Sequence, residues 1–290
     1  MEAIQDSFRT KGYITDQATS VALRLLMELE KPLLVEGPAG VGKTEIAKVL
    51  ADVLNTRLIR LQCYEGLDAN MALYEWNYPK QMLHIRLTEN QKESVTEKEE
   101  EIFSRRFLLQ RPLLDALLAE DSPPVLLIDE VDRADREFEA FLLEILGEFQ
   151  VTIPELGTIR ARHKPYVILT SNRSRELSDA LRRRCLYQWI PYPDFEKETD
   201  ILRTKLPDID EKLAVQVALV MKKVRKMPLN KIPGVAESLD WAKALAVLHE
   251  GELQPETVQQ TFSCFLKDHE DWEVVRERLE QGDMLKGPHP

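Results

Sequence analysis

The chain has 290 residues, enough to bury a full α/β core with room for one smaller domain. Its 39 Lys and Arg against 50 Asp and Glu leave a formal net charge of −11 and a pI near 5.2. That balance argues against a protein whose main work is gripping nucleic acid by counterion release, although it leaves room for a local basic strip. No apolar run approaches the roughly 18 residues of a membrane span, and no basic-then-apolar leader opens the sequence. Cys63, Cys185 and Cys264 form neither a metal-ligand pair nor a disulfide framework, so a cytoplasmic protein without a membrane span is expected.

The first thirty residues read as a lead-in helix. Thr15 or Asp16 caps it, Ala18, Ala22, Leu25, Leu26 and Leu29 form its apolar stripe, and Pro32 closes it. Leu33–Glu36 follows as a short buried strand. Next comes Gly37-Pro38-Ala39-Gly40-Val41-Gly42-Lys43-Thr44, which fits the phosphate-cradling pattern G-x-x-x-x-G-K-[ST], and then an amphipathic helix over Thr44–Leu54. In this strand–loop–helix order, backbone N–H groups and the helix N-terminus face a polyphosphate. Lys43 is expected to reach the β- and γ-phosphates and the Thr44 hydroxyl to bind Mg²⁺.

Leu58–Leu61 reads as a second strand, and residues 63–88 are mixed and aromatic. Tyr74, Trp76 and Tyr78 alternate, so in an extended hairpin they share one face, directed either to a client or onto the core. Residues 89–101 hold six glutamates and two lysines and read as an exposed connection or a solvated helix start. Leu113–Leu118 resumes a helical pattern, which Pro123-Pro124 breaks. Val125–Glu130 is then an apolar strand ending in two carboxylates: Asp129 suits the metal, and Glu130 suits a base acting on the attacking water.

Asp135 caps a helix carrying Phe138, Phe141, Leu142, Ile145 and Leu146, and Val151–Ile159 suggests a hairpin. Tyr166–Thr170 is a fourth strand of the main sheet, followed by Asn172, an amide that can orient the lytic water or touch the γ-phosphate. Arg182, Arg183 and Arg184 stand just before a fifth strand at Leu186–Ile190. A guanidinium there is either solvated charge or a catalytic charge for developing negative charge on the phosphoryl group. Strands alternating with helices predict a mostly parallel, doubly wound sheet. After Pro191 the strand signal stops, and residues 194–282 read as four or five helices. The expected division is 1–192 for the α/β nucleotide-binding domain and 193–290 for a helical domain.

Taken together, Gly37–Thr44, Val125–Glu130, Asn172, Arg182–Arg184 and the trailing helices resemble the AAA+ ATPases, as Walker A, Walker B, sensor 1, arginine box and lid. Within them, Glu130-Val131-Asp132-Arg133-Ala134-Asp135 is similar to the Asp-Glu-x-x-Arg-Ala signature of the MoxR group, and Val151–Ile159 sits where its pre-sensor hairpin lies. Leu61–Asp68, Tyr74–Tyr78 and Phe149–Gly157 look like the CoxD-type accessory ATPases of molybdenum-containing carbon monoxide dehydrogenase systems. The similarity covers roughly residues 8–245. It departs at Gly234–Leu239, where no arginine stands at the sensor 2 place of MoxR relatives, so no sensor 2 residue is assigned. Gly12-Tyr13-Ile14 lies where AAA+ proteins contact the adenine, and equally suits a hydrophobic staple.

The resemblance implies an AAA+ P-loop NTPase, with a five-stranded, mostly parallel sheet flanked by helices on both faces and a small all-helical lid. It also implies ATP and Mg²⁺ as cofactors and a homo-oligomeric ring, expected to be a hexamer, with the arginine box serving the neighbouring subunit. The implied partners are a client metalloenzyme and a protein with a von Willebrand factor A domain; nucleic acid is not expected. The rival readings are a nucleic-acid motor or GTP-dependent restriction subunit, which the net charge of −11 disfavours, and a nucleotide-gated scaffold with little turnover, which an intact Glu130 disfavours.

Overall fold

The computed structural model describes residues 2–88, 94–248, 252–282, 284 and 285. Its strands in chain order are β1 (Leu33–Glu36), β2 (Leu58–Gln62), β3 (Tyr74–Trp76), β4 (Leu108–Gln110), β5 (Val125–Asp129), β6 (Gln150–Ile153), β7 (Gly157–Arg160), β8 (Tyr166–Ser171) and β9 (Leu186–Trp189). Five of them form one sheet in the order β2-β5-β8-β1-β9. The β2–β5, β5–β8 and β8–β1 ladders are parallel, and β1, β5 and nearly all of β8 are buried along their whole length. This explains why those three read as unbroken apolar runs rather than alternating ones. The carboxyl ends of β5, β8 and β1 carry Asp129, Ser171 and Glu36, so the sheet brings its polar strand ends to one edge. The five-stranded, mostly parallel sheet is therefore as expected.

By contact density the chain divides into two compact units, both discontinuous in sequence. One comprises residues 21–36 and 50–188; the other comprises 1–20, 37–49 and 189–290. The first contains the sheet, up to Gln188 of β9, and a core of β-strand and helix residues including Leu34, Phe107, Leu114, Ile128, Leu142, Leu169 and Leu181. The helix Arg136–Glu148 starts on the Asp135 cap, whose Oδ1 accepts from Phe138 N at 2.8 Å, and β6 and β7 follow it as an antiparallel hairpin.

One local expectation fails in this unit. Tyr74, Trp76 and Tyr78 do not share a face, because the extended segment ends at Trp76 and Tyr78 opens the helix Tyr78–Leu87 on an Asn77 cap. β3 pairs antiparallel with β4. Trp76 is only 7% exposed and packs edge-on against Phe103 at 5.4 Å, whereas Tyr78 is 61% exposed. Trp76 is a core residue and not a client contact; the exposed apolar side chains of this segment are those of Tyr78, Met82, Leu83, Ile85 and Leu87. In the glutamate-rich run, residues 89–93 lie outside the described residues. The remainder forms the helix Val95–Ile102, opened by a capping box between Ser94 and Glu97.

At the chain start there are two helices, Glu2–Thr10 and Gln17–Leu29, separated by a turn in which Gly12 has φ +77°. Asp16 is the cap of the second, accepting from Thr19 N at 2.8 Å. Its buried positions are Thr19, Ser20, Leu23 and Leu26; of the expected stripe, Leu25 and Leu29 are 40% and 52% exposed. Thr19 and Ser20 are buried without a hydrophobic signal, so the apolar stripe is rotated away from the buried face.

After Pro191 the described residues form six helices, one more than expected, because Thr261 divides Pro255–Gln260 from Phe262–Phe265. They enclose their own core around Met221, Trp241, Phe262 and Phe265, with Trp241 Nε1 donating to Thr261 Oγ1 at 2.8 Å. Among the described residues no helix is long and apolar enough to cross a membrane.

Candidate functional site

The phosphate loop belongs to the unit that contains the C-terminal helices. The helix behind it, Lys43–Leu54, begins at the lysine itself. Lys43 is buried, and its Nζ donates to Gly37 O at 2.8 Å and Pro38 O at 2.6 Å, so the loop curls around its own ammonium group. Gly40 has φ +75°, a conformation that L side chains rarely adopt. Tyr13 approaches Gly42: a Cβ placed on that glycine would lie 3.6 Å from Tyr13 Cε2. Burial, helped by the nearby charges of Asp16 and Glu45, pushes the Tyr13 phenol well above its ordinary range, so it stays a neutral hydroxyl.

The start of the helix Val235–Val247 closes on the same loop. Val235 N donates to Gly40 O at 2.8 Å, and a Cβ on Gly234 would stand 2.7 Å from Gly40 Cα, so only glycine permits this approach. A buried ion pair fixes that helix start. Arg225 donates to Glu198 Oε2 at 2.5 Å and Oε1 at 2.7 Å, and also to Pro233 O, Gly234 O and Ser238 Oγ; the two side chains are 6% and 0% exposed. The stretch Gly234–Leu239 itself carries no arginine. The charged side chain there is Glu237, whose Oε2 accepts from Gly234 N at 2.9 Å and lies 3.2 Å from where a Gly40 Cβ would be. Arg225 and Glu198 carried no local signal, since each looks like an ordinary helix-surface charge until the fold buries both.

The other unit holds Asp129, Glu130, Asn172 and the arginine box. Asp129, 2% exposed, ends β5; its Oδ1 accepts from the Thr170 hydroxyl at 2.6 Å and its Oδ2 from Arg60 Nη2 at 2.6 Å and Nε at 3.1 Å. Glu130 turns out of the strand in the left-handed region (φ +54°, ψ +49°), with its N–H donating to Thr170 Oγ1 at 2.9 Å. This strained turn re-aims its carboxylate away from the strand's alternation. Glu130 Oε1 then accepts from Asn172 Nδ2 at 3.3 Å, and Oε2 from Gln62 Nε2 at 3.1 Å, with Arg133 Nε also at 3.1 Å. Asn172 is thus brought to Glu130, as its position after β8 suggested.

Asp132, buried at 2%, braces that loop by accepting from Asn172 N at 3.2 Å and Ser174 N at 2.8 Å. Burial first, then the charges of Asp129, Asp132 and Glu130, pushes the Cys63 thiol up to about 12; burial alone pushes Cys185 to about 12. Neither is a thiolate near neutral pH.

The three arginines separate. They end the helix Asp179–Arg184. Arg182 is held within its own subunit, 3.8 Å from the buried Glu36 carboxylate and over the Tyr187 ring at 5.7 Å, while Tyr187 donates to Glu36 Oε2 at 3.0 Å. Arg183 and Arg184 are exposed. Gln62, Arg60, Thr170, Asp132 and Glu36 were missed from the sequence. The one available hint was polar residues at alternate positions of β2, a strand beside a buried neighbour.

Residues 32–185, more than half of the chain, match the AAA domain family, dynein-related subfamily. An uncharacterized protein of Staphylococcus saprophyticus is 22% identical across 88% of this chain and 92% of its own length. An uncharacterized protein of Staphylococcus epidermidis is 23% identical across 92% of this chain and 96% of its own. Among solved structures, the RuvB Holliday junction branch migration motor of Thermotoga maritima aligns at 18% identity with a TM-score of 0.48, covering 89% of this chain and 68% of that one.

Proposed function

The chain belongs to the AAA domain family, dynein-related subfamily, and on that premise we propose that it is a ring-forming ATPase of the MoxR type that remodels a client metalloenzyme. The observation that carries the hydrolytic part is the Glu130 carboxylate, aimed by a strained turn and held between the amides of Asn172 and Gln62 directly after Asp129. A carboxylate fixed by two amides, with the Arg133 guanidinium beside it, at the end of an acidic strand is suited to take a proton from water.

The donor chemistry fits magnesium. Asp129 offers a buried carboxylate and Thr44 a hydroxyl, both hard oxygens, and this ion commonly takes only one or two protein ligands beside phosphates and water. When bound, Mg²⁺ supplies charge neutralisation on the phosphoryl oxygens. Lys43 would neutralise the β/γ-phosphates, with the loop N–H groups of Gly37–Gly42 around them.

Support for the CoxD-type pathway comes from the resemblance at Leu61–Asp68, Tyr74–Tyr78 and Phe149–Gly157. In that reading the ring is a hexamer, ATP sites are completed across subunits, and a protein with a von Willebrand factor A domain links the ring to its client. Genes for such a protein or for a carbon monoxide dehydrogenase beside this one would support it.

The test is phosphate release from ATP with Mg²⁺, with and without duplex DNA. Release that needs the metal and ignores DNA is the expected result. Release that appears only with DNA would favour a nucleic-acid motor, and no release under either condition would favour a scaffold.

A further inference from the structure

Arg60 lies on β2, the strand at one edge of the sheet, with solvent beside it; its side chain is 49% exposed. The parallel register sets Gln62 opposite Asp129, which puts Arg60 two residues back along the same edge. From there its guanidinium reaches Asp129 Oδ2 with both Nε at 3.1 Å and Nη2 at 2.6 Å, and Nη2 also donates to Gln62 Oε1 at 2.5 Å. A forked, permanently charged donor thus rests on the carboxylate assigned to the metal.

A guanidinium and a divalent cation compete for the same carboxylate oxygens. We propose that Arg60 is a positioning residue that sets the metal threshold of the site. It holds Asp129 as an internal counter-ion and is displaced into solvent when the metal–nucleotide binds. This rests on the reading of Asp129 as a metal ligand. The edge position makes displacement feasible, because the freed guanidinium swings into water instead of being stranded in the interior. Half exposure also keeps the competition modest, since solvent screens the pair.

Mn²⁺ is the probe, counted by the electron paramagnetic resonance of the free ion in the presence of ADP. Arg60→Gln should bind Mn²⁺ about twofold to fivefold more tightly than wild type, the scale of a partly exposed ion pair. Arg60→Lys, which keeps the charge but loses the fork, should fall between them and also serves if the glutamine variant folds poorly. Raising the salt should narrow the difference. Unchanged or weaker Mn²⁺ binding in Arg60→Gln, with thermal stability lowered, would overturn the proposal and make the pair purely structural. Asp129→Asn separates the two failures. It should weaken Mn²⁺ binding and erase any gain from Arg60→Gln. If it leaves Mn²⁺ affinity at the wild-type level, the metal reading of Asp129 itself fails, and the proposal fails with it.

Discussion

Glu130→Gln is expected to retain ATP while steady-state hydrolysis falls by about 10²–10⁴-fold, the usual contribution of a positioned general base. The substitution keeps the size of the side chain and an oxygen able to accept from Asn172 Nδ2 or Gln62 Nε2, the two amides that hold Glu130. Asp129 and its Thr170 hydrogen bond are untouched. Binding and chemistry should therefore separate, with nucleotide captured at wild-type affinity and not turned over. Equilibrium dialysis against labelled ATP, run beside phosphate release, reads both quantities. Turnover at the wild-type rate would remove Glu130 from the role of base.

Loss of Arg183 or Arg184 is expected to have an effect of similar size by a different route. Arg182 is engaged inside its own subunit by Glu36 and the Tyr187 ring, so the exposed pair at the end of the helix Asp179–Arg184 is better placed to serve a neighbour. If one of them supplies charge to the next subunit's γ-phosphate, its alanine variant should bind ATP normally and lose hydrolysis by up to roughly 10³-fold or more. Mixing such a variant with Glu130→Gln subunits provides the discriminating readout. Rings that pair an intact Glu130 with an intact neighbouring arginine should recover part of the activity, although neither parent hydrolyses ATP. Wild-type rates in both single arginine variants would make the pair ordinary surface charge and take away the main support for shared sites.

Much of the fold was legible because the sheet is simple to write. β1, β5 and β8 are buried, so each is a compact apolar run, and each is followed by a residue type that only a strand end explains. The places of the phosphate loop, Asp129, Glu130 and Asn172 at strand ends could be read for the same reason, since motif and strand end coincide. What the sequence hid was pairing over long separations. Gln62 and Glu130, or Arg60 and Asp129, meet only once β2 and β5 are in register. Glu198 and Arg225 become a buried pair only when their helices pack, and Gly234 betrays its purpose only when Gly40 is against it.

The aromatic triplet failed for a related reason. Alternation predicts a shared face only while the chain stays extended, and Asn77 ends the strand by capping a helix, which leaves Trp76 in the core and Tyr78 in solvent. The arginine box was visible as a cluster, but the buried carboxylate that singles out Arg182 lies on β1, far away in sequence.

The central claim, that Gly37–Thr44 cradles a triphosphate, is tested most directly by calorimetric titration of ATP into wild type and Lys43→Ala. The lysine is the one side-chain cation in the loop, buried and held by the loop's own carbonyls at 2.8 and 2.6 Å. Removing it should leave wild-type heats of binding and none from the variant, with both proteins folded by circular dichroism. Equal ATP affinity in the two would contradict the assignment of the phosphate loop and the account built on it.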